Sequence, residues 1–419
     1  MARELQISPA DSIWAVNAYQ LATIVSLLTF STLGDIWGYR NIYVVGLSLF
    51  TVASLGCAYA DTLVTLIVMR ALQGVGCSAV VSVNTSLIRT IYPRKQLGRG
   101  MGINATVVAI MSVAGPSVAA AVLSMTSWHW LFFINIPIGV VAIMLSIKFL
   151  PHNPMKTRAY FDWRDGMLNG LMFGLLIASI EGYSHGLELK IALSVLLLSL
   201  LIGYVFIRGQ LKKPFPILPF DLLRIPIFSL SLCTSVCSYM AQMLAMVALP
   251  FFLQHNLGYG EIQTGLLLTA WPAIIVVVAP LAGWLVERVH AGILGGMGLA
   301  LLSIGLFSLV LLPAHPTAGA IVCRFMLCGA GFGLFQSPNN SILIASAPPQ
   351  RSGSASGMLA TARLLGQTTG AAFVALLFHL SPNRGTHYAF CVAACLALLG
   401  AITSSTRISL ALPEVLRHK

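Results

Sequence analysis

Residues 70–120 read RALQGVGCSAVVSVNTSLIRTIYPRKQLGRGMGINATVVAIMSVAGPSVAA. Two long apolar runs flank a short link that carries Arg89, Arg94, Lys95 and Arg99. The same order of run, link and run returns 255 positions later, and no gap is needed to align the two. Gly74 falls on Gly329, Gly76 on Gly331, Ser82 on Ser337 and Asn84 on Asn339. Gly98 falls on Gly353, Gly102 on Gly357, Ala105 on Ala360, Thr106 on Thr361 and Gly115 on Gly370. Small residues are common in apolar helices, so some matches arise by chance, but the repeated order does not. The chain is read as two similar halves.

Composition sets the solvent. Of 419 residues, 57% are hydrophobic and 9% charged, where a soluble chain carries about a quarter charged. The mean hydropathy is +0.87. These values describe a polytopic membrane protein. Its spans must be helices, since a backbone in lipid satisfies its own hydrogen bonds, and the runs do not alternate as barrel strands do. The net charge of +12 fits basic loops on one side of a membrane better than a nucleic-acid surface. The eight cysteines all fall in or at the edges of apolar runs without a His or acid cluster, so they read as buried small residues. No cleavable leader is evident.

Thirteen runs are long enough to span a bilayer. They lie at about 13–33, 42–60, 63–83, 100–125, 129–149, 165–182, 191–207, 226–252, 263–285, 293–312, 317–337, 353–378 and 386–405. One set of alternate links, with the C-terminal tail, holds eighteen of the 24 Lys and Arg, from Arg40 to Arg407, Arg417 and Lys419. The opposite set holds Arg3, Lys190 and Arg384, while Arg70, Arg324 and Arg363 fall inside runs. The positive-inside rule places the first set and the C-terminus in the cytoplasm, and the N-terminus as given outside. Five runs up to residue 149 form an N-terminal bundle, two more lie within 150–225, and six over 226–406 form a second bundle. Residues 407–419 form a tail. Equal halves would need one more helix at the front. The opening MARELQISPADS reads as an external loop after such a helix, with Asp11 or Ser12 capping the next.

Several stretches resemble the major facilitator superfamily. Ser31-Thr-Leu-Gly-Asp35-Ile-Trp-Gly38-Tyr-Arg40 resembles its signature between helices two and three. Arg70-Ala-Leu-Gln-Gly74 resembles the fourth-helix motif, and Gly115-Pro116 the antiporter motif of helix five. Trp14-Ala-Val-Asn-Ala-Tyr19-Gln-Leu21 is similar to the second helix of fourteen-spanner drug:proton antiporters, nearest the methyl viologen and quaternary-ammonium exporters of enteric bacteria. The chain departs from the pattern at Ser31, Ala119 and Ala120, where the family has Gly. It also lacks the family's first helix with its Asp. The resemblance implies two pseudo-symmetric helix bundles with two inserted helices. It implies export of lipophilic cationic drugs in exchange for protons, across a bacterial inner membrane and without a cofactor. A metabolite or sugar transporter of the same superfamily is the alternative, as is a truncated non-transporting form.

The residues offer specific candidates. Asp35, beside Gly38, can pair with an Arg such as Arg40 or with helix N-terminal amides, and Gly38 lets the link turn sharply. The resemblance makes this a latch broken in one access state. Glu287-Arg288, after Gly283, is a degenerate copy; an ordinary interfacial ion pair is the simpler reading. Arg70 either snorkels or, by the resemblance, helps couple protons, with Gly74 beside it. Arg363 lies near mid-membrane, where a charge needs a cavity or a partner. Gln367 is one turn on, and Gly366 and Gly370 form a small-residue seam. Gly115-Pro116 permits a bend and offers a flat face. All twelve acids lie at run ends or in links, Glu181 being the nearest to a proton site. The sequence therefore looks like an exporter whose chain begins upstream, or a truncated form. Asn84, Asn104, Asn135, Tyr239, Gln242, Trp271, Gln336 and Asn339 are candidates to line a cavity, the aromatics attracting cations, although most aromatics in spans simply pack. No nucleophile–base pair, phosphate loop or metal cluster suggests an enzyme.

Overall fold

A computed structural model describes residues 9–151, 161–184, 188–211, 213, 216–313, 316–381 and 384–409. Arg3, Arg417 and Lys419, and the side chains of Asp11, Ser12, Pro116, Ala120 and Glu181, lie outside the described residues.

The described residues with regular structure are helical. In order they are α1 Pro9–Trp37, α2 Tyr39–Ala58, α3 Leu63–Ile91, α4 Leu97–Met125, α5 Trp130–Phe133, α6 Asn135–Phe149, α7 Trp163–Ser184 and α8 Leu189–Gln210. There follow α9 Phe220–Leu223, α10 Pro226–Phe251, α11 Glu261–Leu268, α12 Ala270–Leu285, α13 Ala291–Val310, α14 Ala318–Ser346, α15 Ser352–Leu380 and α16 Gly385–Thr406. Eleven of the described spans are long and apolar enough to cross a membrane. α7 and α15 cover the other two expected runs as helices of 22 and 29 residues, but they do not join the eleven. α15 opens Ser-Gly-Ser-Ala-Ser-Gly, which dilutes its apolar character.

The repeat is visible in the helix boundaries. α3, a short turn Arg94–Gln96 and α4 are matched by α14, a turn Pro349–Arg351 and α15, and every boundary moves by 255 residues. Close helix crossings repeat too. A Cβ on Gly46 would stand 2.9 Å from the carbonyl oxygen of Gly76, and one on Gly298 2.6 Å from that of Gly331. Only glycine allows backbones this close, and such seams replace the missing hydrophobic drive between helices in lipid.

The chain forms two compact units. The first holds Met1–Ile91, Pro116–Phe220 and Pro348–Thr361; the second holds Tyr92–Gly115, Asp221–Ala347 and Ala362–Lys419. Each unit therefore includes one end of a helix whose remainder belongs to the other. α4 is divided between Gly115 and Pro116, and α15 between Thr361 and Ala362.

In the first unit α1, α2 and α3 pack together, and α7 and α8 form a hairpin laid against α1. Asn169 Nδ2 of α7 donates to the Val25 carbonyl at 3.1 Å. The hairpin ends are tied by Lys213 Nζ, 2.5 Å from Asp162 and 2.8 Å from Asp165. The second unit holds the larger core, where Trp271, Phe325, Phe335 and Phe390 are fully buried. The cysteines are mixed: Cys57 and Cys328 are buried, but Cys233, Cys323 and Cys395 are exposed, contrary to the reading of all as buried.

Candidate functional site

Asp35 sits in the last turn of α1, 3% exposed. Gly38 breaks the helix there with φ 100°, a left-handed conformation that side chains resist. This turns the chain straight into α2 and puts Tyr39 over Asp35, donating its hydroxyl at 2.8 Å. The rest of the carboxylate's shell comes from the first turn of α15, within the same unit. Oδ1 accepts from Gly353 N–H at 2.7 Å. Oδ2 accepts from Ser354 N–H at 2.8 Å and Ser354 Oγ at 2.6 Å. A helix N-terminus presents free N–H groups and positive potential, and here a carboxylate fills it. A Cβ on Gly353 would stand 2.6 Å from Asp35 Oδ1, and one on Gly357 2.3 Å from Ser31 Oγ. The glycines and the small Ser31 are thus conditions of the contact. α3 adds Ser86 Oγ, donating to the Ser352 carbonyl at 2.6 Å.

Asp35 does not pair with Arg40, as the latch reading allowed. It takes the alternative partner, helix amides, and Arg40 donates to the Ile147 carbonyl instead.

The second unit repeats the arrangement. Gly98 and Gly102 at the start of α4 lie against α12: a Cβ on Gly98 would be 2.5 Å from the Gly283 carbonyl oxygen, and one on Gly102 2.8 Å from that of Ala279. Glu287 stands where Asp35 would, and Arg99 Nε reaches its Oε1 at 2.9 Å. Arg99 occupies the position of Ser354, 255 residues earlier. Arg288 does not join this pair; its guanidinium lies 4.0 Å over the Trp284 ring.

Arg70 is held rather than snorkelled. Nε donates to the Ala15 carbonyl at 3.0 Å and Nη1 to Gln73 Oε1 at 2.7 Å, with the guanidinium 4.4 Å over Tyr19. Gln73 passes the chain on to Ser54 Oγ at 2.7 Å. Beside it, a Cβ on Gly74 would be 2.3 Å from the Tyr19 carbonyl oxygen, so α1 and α3 meet there.

In the second unit Arg363, Tyr239 and Gln336 come together. The Arg363 guanidinium is 5.6 Å from the Tyr239 ring, and Gln336 Nε2 donates to the Tyr239 hydroxyl at 3.2 Å. Gly366 and Gly370 form the expected seam, against the backbone of α10 at Val236 and Met240. Gln242 and Gln367 are half-buried.

Other expectations need correction. Trp271 and Asn339 are 1% and 0% exposed, in packed core. Asn135 caps its own chain through the Leu131 carbonyl at 3.4 Å. Asn84 lines a groove of about 280 Å³ with Tyr43 of α2 and Leu145 and Phe149 of α6, wholly within the first unit. α4 runs unbroken through Gly115-Pro116, and a Cβ on Gly115 would meet nothing within 4 Å, so it makes no tight face. Arg407 is not a solvated tail residue: it is 0% exposed. Its guanidinium donates to Ser231 Oγ at 2.8 Å, to Asn339 Oδ1 at 2.7 Å and to Ser404. Burial pushes its pKa down to about 10, which leaves it charged at neutral pH. The sequence reading missed this network. A signal existed in Asn339 aligning with Asn84, but nothing marked Arg407 as more than a loop charge. Among the described residues no group of His, Cys, Asp and Glu could hold a metal.

The sequence pattern of the Major Facilitator Superfamily matches residues 1–220 and 230–414. The chain is 55% identical over 410 residues to the "Uncharacterized transporter YebQ" of Escherichia coli K12, covering 98% of this chain and 90% of that protein. It is 30% identical over 378 residues to the "Riboflavin transporter RibZ" of Clostridioides difficile, covering 90% and 82%. It is 29% identical over 361 residues to the "Multidrug resistance protein Stp" of Mycobacterium tuberculosis (strain CDC 1551 / Oshkosh), covering 85% and 67%. This chain is therefore a polytopic membrane transporter and belongs to the major facilitator superfamily.

Proposed function

We propose that the chain is a secondary active transporter that exports lipophilic cationic drugs or biocides in exchange for protons, across a bacterial inner membrane. Asp35 carries the reading. Three of its four hydrogen bonds come from the part of α15 that belongs to the first unit, Ser352–Thr361, while the rest of that helix belongs to the second. A contact on such a divided helix is suited to forming in one access state and breaking in the other. The Arg99–Glu287 pair plays the same part for α4. Arg70 with Gln73, and Arg363 with Tyr239, are the half-buried cations proposed to respond to proton movement, because an ionisable group inside a membrane span is costly unless it serves. Tyr239 and Gln336 are the proposed cation contacts. A relative named as a multidrug resistance protein supports this substrate class. The thirteen-span threading, with the C-terminus in the cytoplasm and residues 150–225 as two inserted helices, is part of the proposal.

A second reading is favoured by the riboflavin transporter among the relatives: export or uptake of a flat neutral or anionic metabolite. Proteoliposomes with an imposed proton gradient decide between them. Gradient-driven movement of methyl viologen or ethidium that exceeds riboflavin, and is lost in Asp35→Asn, supports the first. Riboflavin transport without cation transport overturns it. A tag at Lys190 found on the cytoplasmic face would overturn the threading.

A further inference from the structure

Arg70, Arg324 and Arg407 are each supplied with hydrogen-bond acceptors by the chain itself. Arg70 has the Ala15 carbonyl and Gln73. Arg324 Nε donates to the Ser308 carbonyl at 3.0 Å and Nη1 to the Ala320 carbonyl at 2.8 Å. Arg407 has Ser231, Asn339 and Ser404. Arg363 is the contrast. It is half-buried, near the middle of the 29-residue α15. Among the described residues it makes no hydrogen bond and no ion pair, and its charge meets the Tyr239 ring at 5.6 Å. A guanidinium carries five N–H donors in one plane and no acceptor. An aromatic face attracts such a cation but cannot answer five donors. In the proposed threading α15 crosses the membrane, where a charge needs a partner or a cavity.

The surrounding helices do not supply the missing counter-charge. No Asp or Glu occurs in α10 or in α12 to α16. The polar groups beside Arg363 add donors instead. Gln336 Nε2 gives one N–H to the Tyr239 hydroxyl at 3.2 Å, and that hydroxyl donates to nothing among the described residues. Gln367, one turn along α15, and Gln242, on α10 with Tyr239, are half-buried and make no hydrogen bond among the described residues. The cluster thus holds one full positive charge and a surplus of N–H and O–H groups, and it lies wholly within the second unit.

We propose that Arg363, beside Tyr239, is the recognition point for a carboxylate on the transported molecule. This subsite rests on the drug-export reading and narrows it: the preferred cargo is a flat organic cation that also carries an acid group. A cation without one, brought to Tyr239, meets a guanidinium already on that ring and is repelled. A carboxylate on the same molecule pairs with the guanidinium through two parallel N–H···O bonds and cancels that repulsion. Gln367 shares the Arg363 face of α15 and offers an amide to the same group.

The test begins on wild-type protein in nanodiscs, so it does not depend on a variant that folds. A free-acid rhodamine and its methyl ester share one flat cationic ring and differ only in the carboxylate; binding of each is read by fluorescence anisotropy. The free acid should bind about tenfold tighter or more, as a charge-assisted pair implies. Arg363→Gln should erase the difference by weakening the free acid while the ester binds as before or tighter. Arg363→Lys keeps the charge but loses the planar fork, and should fall between. Equal binding of acid and ester to wild type overturns the subsite, as does an equal loss of both in Arg363→Gln. Naphthoate, a carboxylate on a flat ring without a cation, is read by its own fluorescence and separates the subsite from the export reading. If naphthoate binds, Arg363→Gln abolishes that binding and neither rhodamine binds, the subsite stands and the cationic cargo falls. If none of the three binds wild type, the subsite is overturned, while gradient-driven movement of methyl viologen still upholds export.

Discussion

Ser354 gives Asp35 two hydrogen bonds across 319 positions of sequence, one from its backbone N–H at 2.8 Å and one from its hydroxyl at 2.6 Å. The same point in the repeat holds Arg99 against Glu287. One half thus uses a buried carboxylate capping a helix, the other a partly exposed ion pair. The two solve the same contact with different dependence on solvent. Arg99 is 47% exposed, so its pair is worth under about 1 kcal/mol. Asp35 is buried and fully bonded, and its loss leaves helix amides unsatisfied.

Ser354→Ala removes one charge-assisted bond but leaves both amides in place, and should cost about 1.5–3 kcal/mol. Asp35→Asn should cost more. Gly353→Ala should cost at least as much, since its Cβ would stand 2.6 Å from Oδ1. Hydrogen exchange over residues 352–357 checks the order. Equal exchange in wild type and Asp35→Asn would show that the carboxylate does not hold this turn.

Two glycines on one helix should behave oppositely. Gly98→Ala would drive a Cβ to 2.5 Å from the Gly283 carbonyl oxygen, a backbone atom that cannot step aside. It should cost about 1–3 kcal/mol by overpacking. Gly115→Ala meets nothing within 4 Å and should stabilise α4 by up to about 1 kcal/mol through helix propensity. Thermal unfolding in detergent compares them. A destabilised Gly115→Ala would restore the tight face that the sequence motif implied.

The helices and the repeat were legible because both are written in apolar run length and small-residue spacing. Gly98 and Gly353 could be paired by counting alone. The partner of Asp35 could be narrowed to an Arg or a helix end, but not chosen, since sequence does not say which of two favourable partners geometry brings near. Of the residues offered to line a cavity, Asn84 lies in a groove and Trp271 and Asn339 in packed core, because a polar or aromatic residue in a span looks the same whether it faces an opening or another side chain. The Arg407 network was invisible for a related reason. A basic residue after the last helix reads as a loop charge, and only the packing of α10, α14 and α16 reveals a polar niche beneath it.

Arg407 should therefore behave as a core residue. Arg407→Ala would strand Asn339 Oδ1 and remove the donor on Ser231 Oγ, and should cost about 2–4 kcal/mol. Arg407→Lys should recover little, because one ammonium cannot span Ser231, Asn339 and Ser404 as a guanidinium fork does. Asn339→Leu with Arg407→Met, an apolar pair, should recover more than either single change. Melting temperatures of wild type, Asn339→Leu, Arg407→Met and the double change give the coupling, and additive losses would show that the residues act independently.

The tie at the base of the α7–α8 hairpin sets a pH dependence outside the membrane. The Lys213 hydrogen bond, aided by the Arg164 backbone N–H, holds Asp162 below the usual carboxylate range. For Lys213, burial pulls the pKa down, but the bonds to Asp162 and Asp165 outweigh it and the net movement is upward. A carboxylate lowered on folding stabilises above its unfolded pKa of about 4, and that contribution fades as pH falls through the folded value. An amine raised on folding stabilises below its unfolded pKa of about 10.4 and loses this only as pH rises further. The hairpin tie should thus be constant from about pH 5 to 10 and weaken below about pH 4. Asp162 is 44% exposed on its side chain, so the effect should be under about 1 kcal/mol and shrink with added salt. Fluorescence of Trp163, the first residue of α7, measured through a pH titration of wild type and Lys213→Met, checks it. A transition near pH 6 that Lys213→Met abolishes would mean that Asp162 titrates high rather than low.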